Sequence, residues 1–227
     1  MKKTVSTFSI DGSVKHSGAT DLECPDAGVM RALNAGITPT ARVIITLDCN
    51  RTCVGCCNSF PSTLQHATKI SLPELVTLKK HLNIVLTGGE PLLKPQWLNQ
   101  IIYFIKNACP DSKIYLYTAM WSDFLPEIIS KIDGLTYTLH TNETTKDIAD
   151  LGRLQDYIHS SLMKKYRPDL VSYRLYVDPR VSSKITIIPN LWERVRFDPW
   201  MSEEELKVKC PDGVPTYETL YLLQEQG

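Results

Sequence analysis

Val43-Ile44-Ile45-Thr46-Leu47-Asp48-Cys49-Asn50-Arg51-Thr52-Cys53-Val54-Gly55-Cys56 is the stretch whose reading decides the fold. Residues 43–48 form a short, β-branched, apolar run, as expected of a strand buried in a parallel sheet. Cys49, Cys53 and Cys56 follow it in the pattern Cys-x3-Cys-x2-Cys. In parallel α/β folds, ligands and catalytic groups gather at the carboxyl ends of strands. Three thiolates in one short loop can hold three corners of a cubane iron–sulfur cluster, leaving the fourth iron open to a substrate or cofactor.

A second motif lies downstream. The run Ile84-Val85-Leu86-Thr87 reads as the next strand of the same sheet, and Gly88-Gly89-Glu90-Pro91 follows it. Two glycines let the backbone approach a ligand closely, and a carboxylate can accept a hydrogen bond from an ammonium group. A Gly-Gly pair alone marks most often a turn; its place after the cysteine loop gives it weight.

With both motifs in this order, each at a strand end, residues 43 to about 95 resemble the radical S-adenosylmethionine (SAM) enzymes. The resemblance implies that Cys49, Cys53 and Cys56 ligate a [4Fe-4S] cluster and are the catalytic residues. It implies that the open iron chelates SAM and that Gly88, Gly89, Glu90 and Pro91 border the SAM amino group. Reductive cleavage of SAM then gives methionine and a 5′-deoxyadenosyl radical that abstracts hydrogen from a substrate. Such chemistry needs an electron donor such as flavodoxin or ferredoxin. The blander reading is a structural zinc site, with His66 or Cys57 as fourth ligand. Zinc sites of that kind come as paired Cys-x2-Cys knuckles, and there is no second knuckle. Cys24, Cys109 and Cys210 are scattered singly, as small buried hydrophobes are.

Beyond residue 41, strands alternate with helices. Strands are expected at 43–48, 83–87, 113–118, 135–140, 172–177 and 184–188. Helices are expected from Ser71, where Pro73 and Glu74 suit a first turn, over Pro95–Ala108, Ser122–Ile132 and Thr144–Lys165, from Ser202 and near Tyr217–Gln226. This predicts an α/β fold, a partial (β/α)6 TIM-like barrel. Only six residues, 178–183, separate the last two expected strands, too few for a parallel crossover. The barrel is therefore expected to be shortened or irregular at its fifth and sixth strands. The expected organisation is an N-terminal extension over 1–40 (a hairpin at Asp11-Gly12, a short helix near 27–35), a radical SAM core over 41–190 and a C-terminal helical extension over 191–227.

The strand-end rule picks further candidates for cofactor binding. Thr118 ends the third strand, where relatives carry a Thr-Asn-Gly type sequence near the SAM ribose; an ordinary strand-end threonine is the equal alternative. His140 ends the fourth strand, as a SAM contact, a proton carrier or a structural histidine. Arg174, inside an apolar strand, needs a counter-charge, either the SAM carboxylate or an internal acid. Ile187, with Ile188 and Pro189, offers a shelf for adenine and reads equally well as core. Relatives place a large apolar residue before the third cysteine, against adenine; here Gly55 stands there, so Phe60 or Trp121 is expected to complete the pocket. Arg194, Arg196, Asp198 and Trp200 form a polar patch before the last helices. The C-terminal segment is expected to border the substrate cavity.

Composition narrows the function classes. The chain has 227 residues, with 25 Lys and Arg balanced by 25 Asp and Glu, so nothing indicates a nucleic-acid surface. No apolar run reaches the length of a membrane span. Met1-Lys2-Lys3 leads into polar residues and not an apolar signal core, so a cytoplasmic protein with reduced thiols is expected. The expected activity is that of an oxidoreductase or lyase on a small molecule, a nucleotide or modified base being favoured by the chain's compactness. The alternatives are an activase that installs a glycyl radical on a partner enzyme, and a non-enzymatic cluster or zinc module.

Overall fold

The structure, a computed structural model, describes residues 38–224 except 54, 57, 59, 141–143, 164–170, 189, 212, 213 and 216. The expected hairpin at Asp11-Gly12 and the helix near 27–35 lie outside the described residues. In chain order the first half contains β1 (Thr40–Ile44), α1 (Pro61–Leu64), β2 (Thr68–Ile70), β3 (Asn83–Thr87), α2 (Pro95–Ala108) and β4 (Lys113–Thr118). The second half contains α3 (Leu125–Ile129), β5 (Gly134–Leu139), α4 (Thr145–Met163), β6 (Ser172–Val177), β7 (Arg194–Phe197), α5 (Glu203–Lys209) and β8 (Glu218–Leu223). The eight strands form one sheet in the order β2-β8-β1-β3-β4-β5-β6-β7. Every pairing is parallel. With β2 and β7 at its edges, this is an α/β sheet of open, partial-barrel form.

Strand alternation sends successive side chains to opposite faces. On one face Val43, Leu86, Leu116, Tyr137 and Leu175 join Leu98, Ile101 and Ile105 of α2 and Leu154 and Ile158 of α4 in a single core cluster. Burial of these side chains, each contributing on the order of 1.5–3 kcal/mol, holds the helices to the sheet. The other face alternates arginine and tyrosine. The guanidinium of Arg42 lies 5.2 Å from the ring of Tyr117, Arg174 is 5.6 Å from Tyr115 and Arg196 is 5.4 Å from Tyr176.

Three departures from the sequence expectations stand out. Residues 184–188 are not a strand: Pro179–Lys184 is a 3-10 turn and the sheet continues at β7. The reason is Gln155 of α4, whose buried amide donates to Thr186 O at 3.0 Å and accepts from Ile188 N at 2.8 Å. That side chain satisfies the backbone a neighbouring strand would otherwise take. Moving the sixth unit to β7 supplies the longer connection that a parallel crossover requires.

Within the segment near Tyr217–Gln226, the described residues 217–224 hold a strand, β8, and not a helix. β8 inserts between β1 and β2, where Arg42 holds Glu218 through two hydrogen bonds of 2.6 and 3.1 Å. On the opposite face of β8, the hydroxyl of Tyr221 lies 3.0 Å from Nε2 of the fully buried His81. Among the described residues those beyond 190 therefore contribute two strands to the main sheet, and only α5, with its Ser202/Glu205 capping box, answers to the helical extension. The helix expected from Ser71 is a 3-10 segment, Pro73–Lys80, with the Glu74 carboxylate bonded back to Ser71 N at 2.7 Å.

Candidate active site

The ladder between β1 and β3 runs on past both strands. Ile45 N donates to Thr87 O at 2.9 Å, Gly89 N to Thr46 O at 2.8 Å and Glu90 N to Asp48 O at 2.7 Å. These bonds carry the backbone straight to Cys49. They also explain the two glycines. A Cβ on Gly88, whose φ is +154°, would lie 2.3 Å from Thr46 O, and one on Gly89 would lie 2.0 Å from Asp48 O. The close approach is thus to the lead-in of the cysteine loop. Asn58, beyond the third cysteine, donates to Gly88 O at 2.5 Å and ties the loop's far side to the same segment.

Glu90 is 2% exposed. Its carboxylate accepts from Leu92 N at 3.0 Å, from the Thr118 hydroxyl at 2.7 Å and from Ala119 N at 3.0 Å. Burial pushes its pKa up, against the pull of these three donors. Glu90 and Thr118 therefore form one unit that fastens the glycine segment to the end of β4. Pro91 starts a 3-10 turn behind them and is buried.

Cys49 is exposed and Cys53 and Cys56 are half-buried, and all three line one cavity of about 310 Å³. Gly88, Gly89, Glu90, Thr118 and His140 line it too. Burial, followed by the charge of Cys56, pushes the Cys53 thiol up to about 11. Burial also raises Cys49, and Glu90 and Cys56 oppose its ionisation further. Mutually opposed thiolates form together only where cationic charge offsets them, which iron supplies. Among the described residues no three metal-ligating side chains converge on a single ion. Thiolates that each take a different iron of a cubane need no such convergence, so the donor set fits a cluster. His66, the alternative zinc ligand, is exposed and does not line the cavity.

Sequence reasoning missed Arg51, although it is the one charged residue between the cysteines. Its guanidinium donates to Ala119 O at 2.7 Å and pairs with Asp147 in the first turn of α4. Asp147 also accepts from Thr144 N at 2.6 Å. Burial works against the charge on both; their mutual bond outweighs it, raising Arg51 and lowering Asp147.

His140 stacks flat on Trp200, with ring centroids 4.6 Å apart and planes 5° from parallel. Burial, reinforced by the charge of Arg51, pushes the imidazole down to about 4, so it is neutral at pH 7. Trp200 and Met201 sit on Gly55, where a Cβ would lie 2.9 Å from Met201 O and 3.3 Å from Trp200 Cβ. Gly55, at φ +82°, is thus required by the segment crossing above it. From Trp200 the chain roofs the cavity with Met201, Leu206, Cys210, Val214 and Pro215. The expectation that the C-terminal segment borders this cavity agrees with that geometry.

The remaining candidates fall elsewhere. Arg174 faces Glu193 at 3.6 Å and does not line the cavity; its counter-charge is internal. Ile187 packs against the core beside Gln155. Trp121 packs on Tyr157, 6.0 Å between centroids, whereas Phe60 does line the cavity. Arg196 pairs with Asp198 at 2.5 Å. Arg51 Nε, Thr63 Oγ1, His140 Nδ1 and Trp200 Nε1 are buried without a hydrogen-bond partner, and all four residues line the cavity. Polar atoms orphaned around one cavity mark it as a place for a polar ligand.

Residues 38–148 match the family model of the 4Fe-4S single cluster domain. No curated protein matches the chain. Among solved structures the chain is similar to BtrN in complex with AdoMet and 2-DOIA, with 20% identity over 66% of this chain and 59% of that one and a TM-score of 0.41. An open conformation of BtrN matches at 22% identity over 47% and 52% of the two chains, with a TM-score of 0.34. Streptococcus suis SuiB matches at 11% identity over 88% and 53%, with a TM-score of 0.39. The chain spans little more than half the length of these structures, and likenesses this distant assign nothing to it.

Proposed function

We propose, from the match of residues 38–148 to the radical SAM-associated 4Fe-4S single cluster domain, that this chain is a radical SAM enzyme acting on a small molecule. The observation that carries this reading is the convergence of Cys49, Cys53, Cys56 and the Gly88–Glu90 segment on one cavity, joined by a continuous ladder from Thr46 to Glu90. When bound, a [4Fe-4S] cluster on the three cysteines supplies the electron that splits SAM into methionine and a 5′-deoxyadenosyl radical.

The protein's own residues do the rest. The Thr46–Glu90 ladder and the Arg51–Asp147 pair hold the cysteine loop in one conformation. Glu90 offers its remaining lone pair, and Gly88 and Gly89 their backbone carbonyls, to the SAM amino group. Arg51 Nε, buried and unpartnered, is the donor placed for a carboxylate. Neutral His140 and the indole of Trp200 present hydrogen-bonding atoms to a heterocycle, and Trp200 supplies the aromatic surface absent at Gly55. The exposed side of Cys49 suits electron entry from a reduced flavodoxin or ferredoxin.

The roof over residues 200–215 favours a small substrate, a modified base or nucleotide, over the backbone glycine of a partner enzyme. Covering one side of the cavity also limits the access of stray hydrogen donors to the radical. The test is anaerobic reconstitution. About four irons and four sulfides per chain are expected, with release of 5′-deoxyadenosine and methionine from SAM under reducing conditions. Stoichiometric zinc uptake with no iron would sink the reading.

A further inference from the structure

Among the described residues two arginines line the cavity, and the fold has assigned a carboxylate to each. At the cysteine end Arg51 pairs with Asp147. At the other end Arg42 is held by Glu218, Nε to Oε2 at 2.6 Å and a terminal nitrogen to Oε1 at 3.1 Å, with its plane over Tyr117. The pair is mostly buried, at 16% and 8% exposure. Among the described residues no lysine lines the cavity, and Lys209, next to the roof residue Cys210, is exposed. Tyr117 lies under Arg42, Tyr176 packs edge-on against Tyr117, and Leu206, Val214 and Pro215 also line the cavity. Among the described residues this end therefore combines apolar and aromatic surface with the Arg42–Glu218 pair, whose opposite charges offset each other. A phosphate entering it would have to displace Glu218 from Arg42 and then lie beside a buried carboxylate, both costly in a dry site. An uncharged ring meets neither obstacle. The whole cavity, cysteine end included, measures about 310 Å³, at the small end of ligand pockets.

We infer that the roofed end of the cavity is a substrate compartment for uncharged, predominantly apolar small molecules, and that Glu218 sets this preference by neutralising Arg42. Of the substrate classes above, this selects a free base or similar ring and rejects phosphate esters. The inference rests on the reading of the cysteine end as the cofactor end.

Benzyl alcohol and benzyl phosphate share one aromatic body and differ in the phosphate. Their affinities are measured by ligand-observed NMR titration on the anaerobically reconstituted protein, with and without SAM. Benzyl alcohol is expected to bind in both conditions, about tenfold or more tighter than benzyl phosphate. Glu218→Gln keeps the side-chain shape and removes the carboxylate charge that Arg42 holds, so it should raise benzyl phosphate affinity about tenfold, the scale of one charge-assisted contact, and leave benzyl alcohol nearly unchanged. Benzyl phosphate binding as well as or better than benzyl alcohol overturns the inference, as do failure of benzyl alcohol to bind and its displacement by SAM. A folded Glu218→Gln protein with unchanged benzyl phosphate affinity overturns the role of Glu218. The comparison on the unaltered protein decides the substrate class even where the variant does not fold. A protein that never cleaves SAM would undo the functional reading and leave these affinities standing.

Discussion

Arg51 and Asp147 join the cysteine loop to the first turn of α4 through an ion pair whose side chains are only 9% and 8% exposed. Removing one partner strands the other as an uncompensated buried charge, which costs about 3–5 kcal/mol. Arg51→Met and Asp147→Asn are each expected to lower unfolding free energy by that order in urea titrations. Both should also reduce iron retained after reconstitution, because the loop loses its anchor. Arg51→Lys, which keeps the charge but not the fork, should fall between. Unchanged stability and iron content in Arg51→Met would show that the pair does not hold the loop.

Gly89 admits no side chain. Gly89→Ala sets a methyl against Asp48 O, so the ladder that delivers Cys49 must part. A destabilisation of about 3 kcal/mol or more is expected, with loss of the cluster's visible absorbance. The three ligand cysteines should each be indispensable to assembly, and Cys57, Cys109 and Cys210 dispensable.

Glu90→Ala leaves Leu92 N, Ala119 N and the Thr118 hydroxyl without their acceptor. Each buried donor left unmade costs about 1–3 kcal/mol. SAM affinity should fall as well, by the roughly 1.5–3 kcal/mol of a charge-assisted contact. Calorimetric titration of SAM, alongside denaturation, separates the two effects. A loss of stability with SAM affinity intact would restrict Glu90 to fastening the loop.

His140 sets a pH dependence. Its folded pKa of about 4 lies below the ordinary 6.5. Between these values the unfolded chain binds a proton that the folded chain refuses, so stability is full above pH 6.5 and falls as pH drops toward 4. The expected loss is about 3 kcal/mol across that window. His140→Gln should flatten this part of the profile in thermal melts of the cluster-free protein. A wild-type profile already flat between pH 7 and 5 would contradict the buried neutral state.

Sequence alone determined the parts of this protein that are local. The cysteine spacing, the Gly88–Pro91 segment, the strands expected at 83–87, 113–118, 135–140 and 172–177 and the helix Pro95–Ala108 all follow from neighbours along the chain. Periodicity and turn chemistry act over that range. Tertiary structure decided whatever depends on a distant partner. Residues 218–223 became a strand because β1 and β2 leave a slot between them and Arg42 awaits Glu218, a residue 176 positions away. Residues 185–188, β-branched enough for a strand, stayed out of the sheet because Gln155 takes up their backbone. The glycines at 88 and 89 were legible as a close approach, but only the fold showed that the approach is to Thr46 and Asp48. Gly55 likewise looked like a missing wall until Trp200 was seen resting on it. Burial and long-range pairing, absent from any short window of sequence, gave these residues their neighbours.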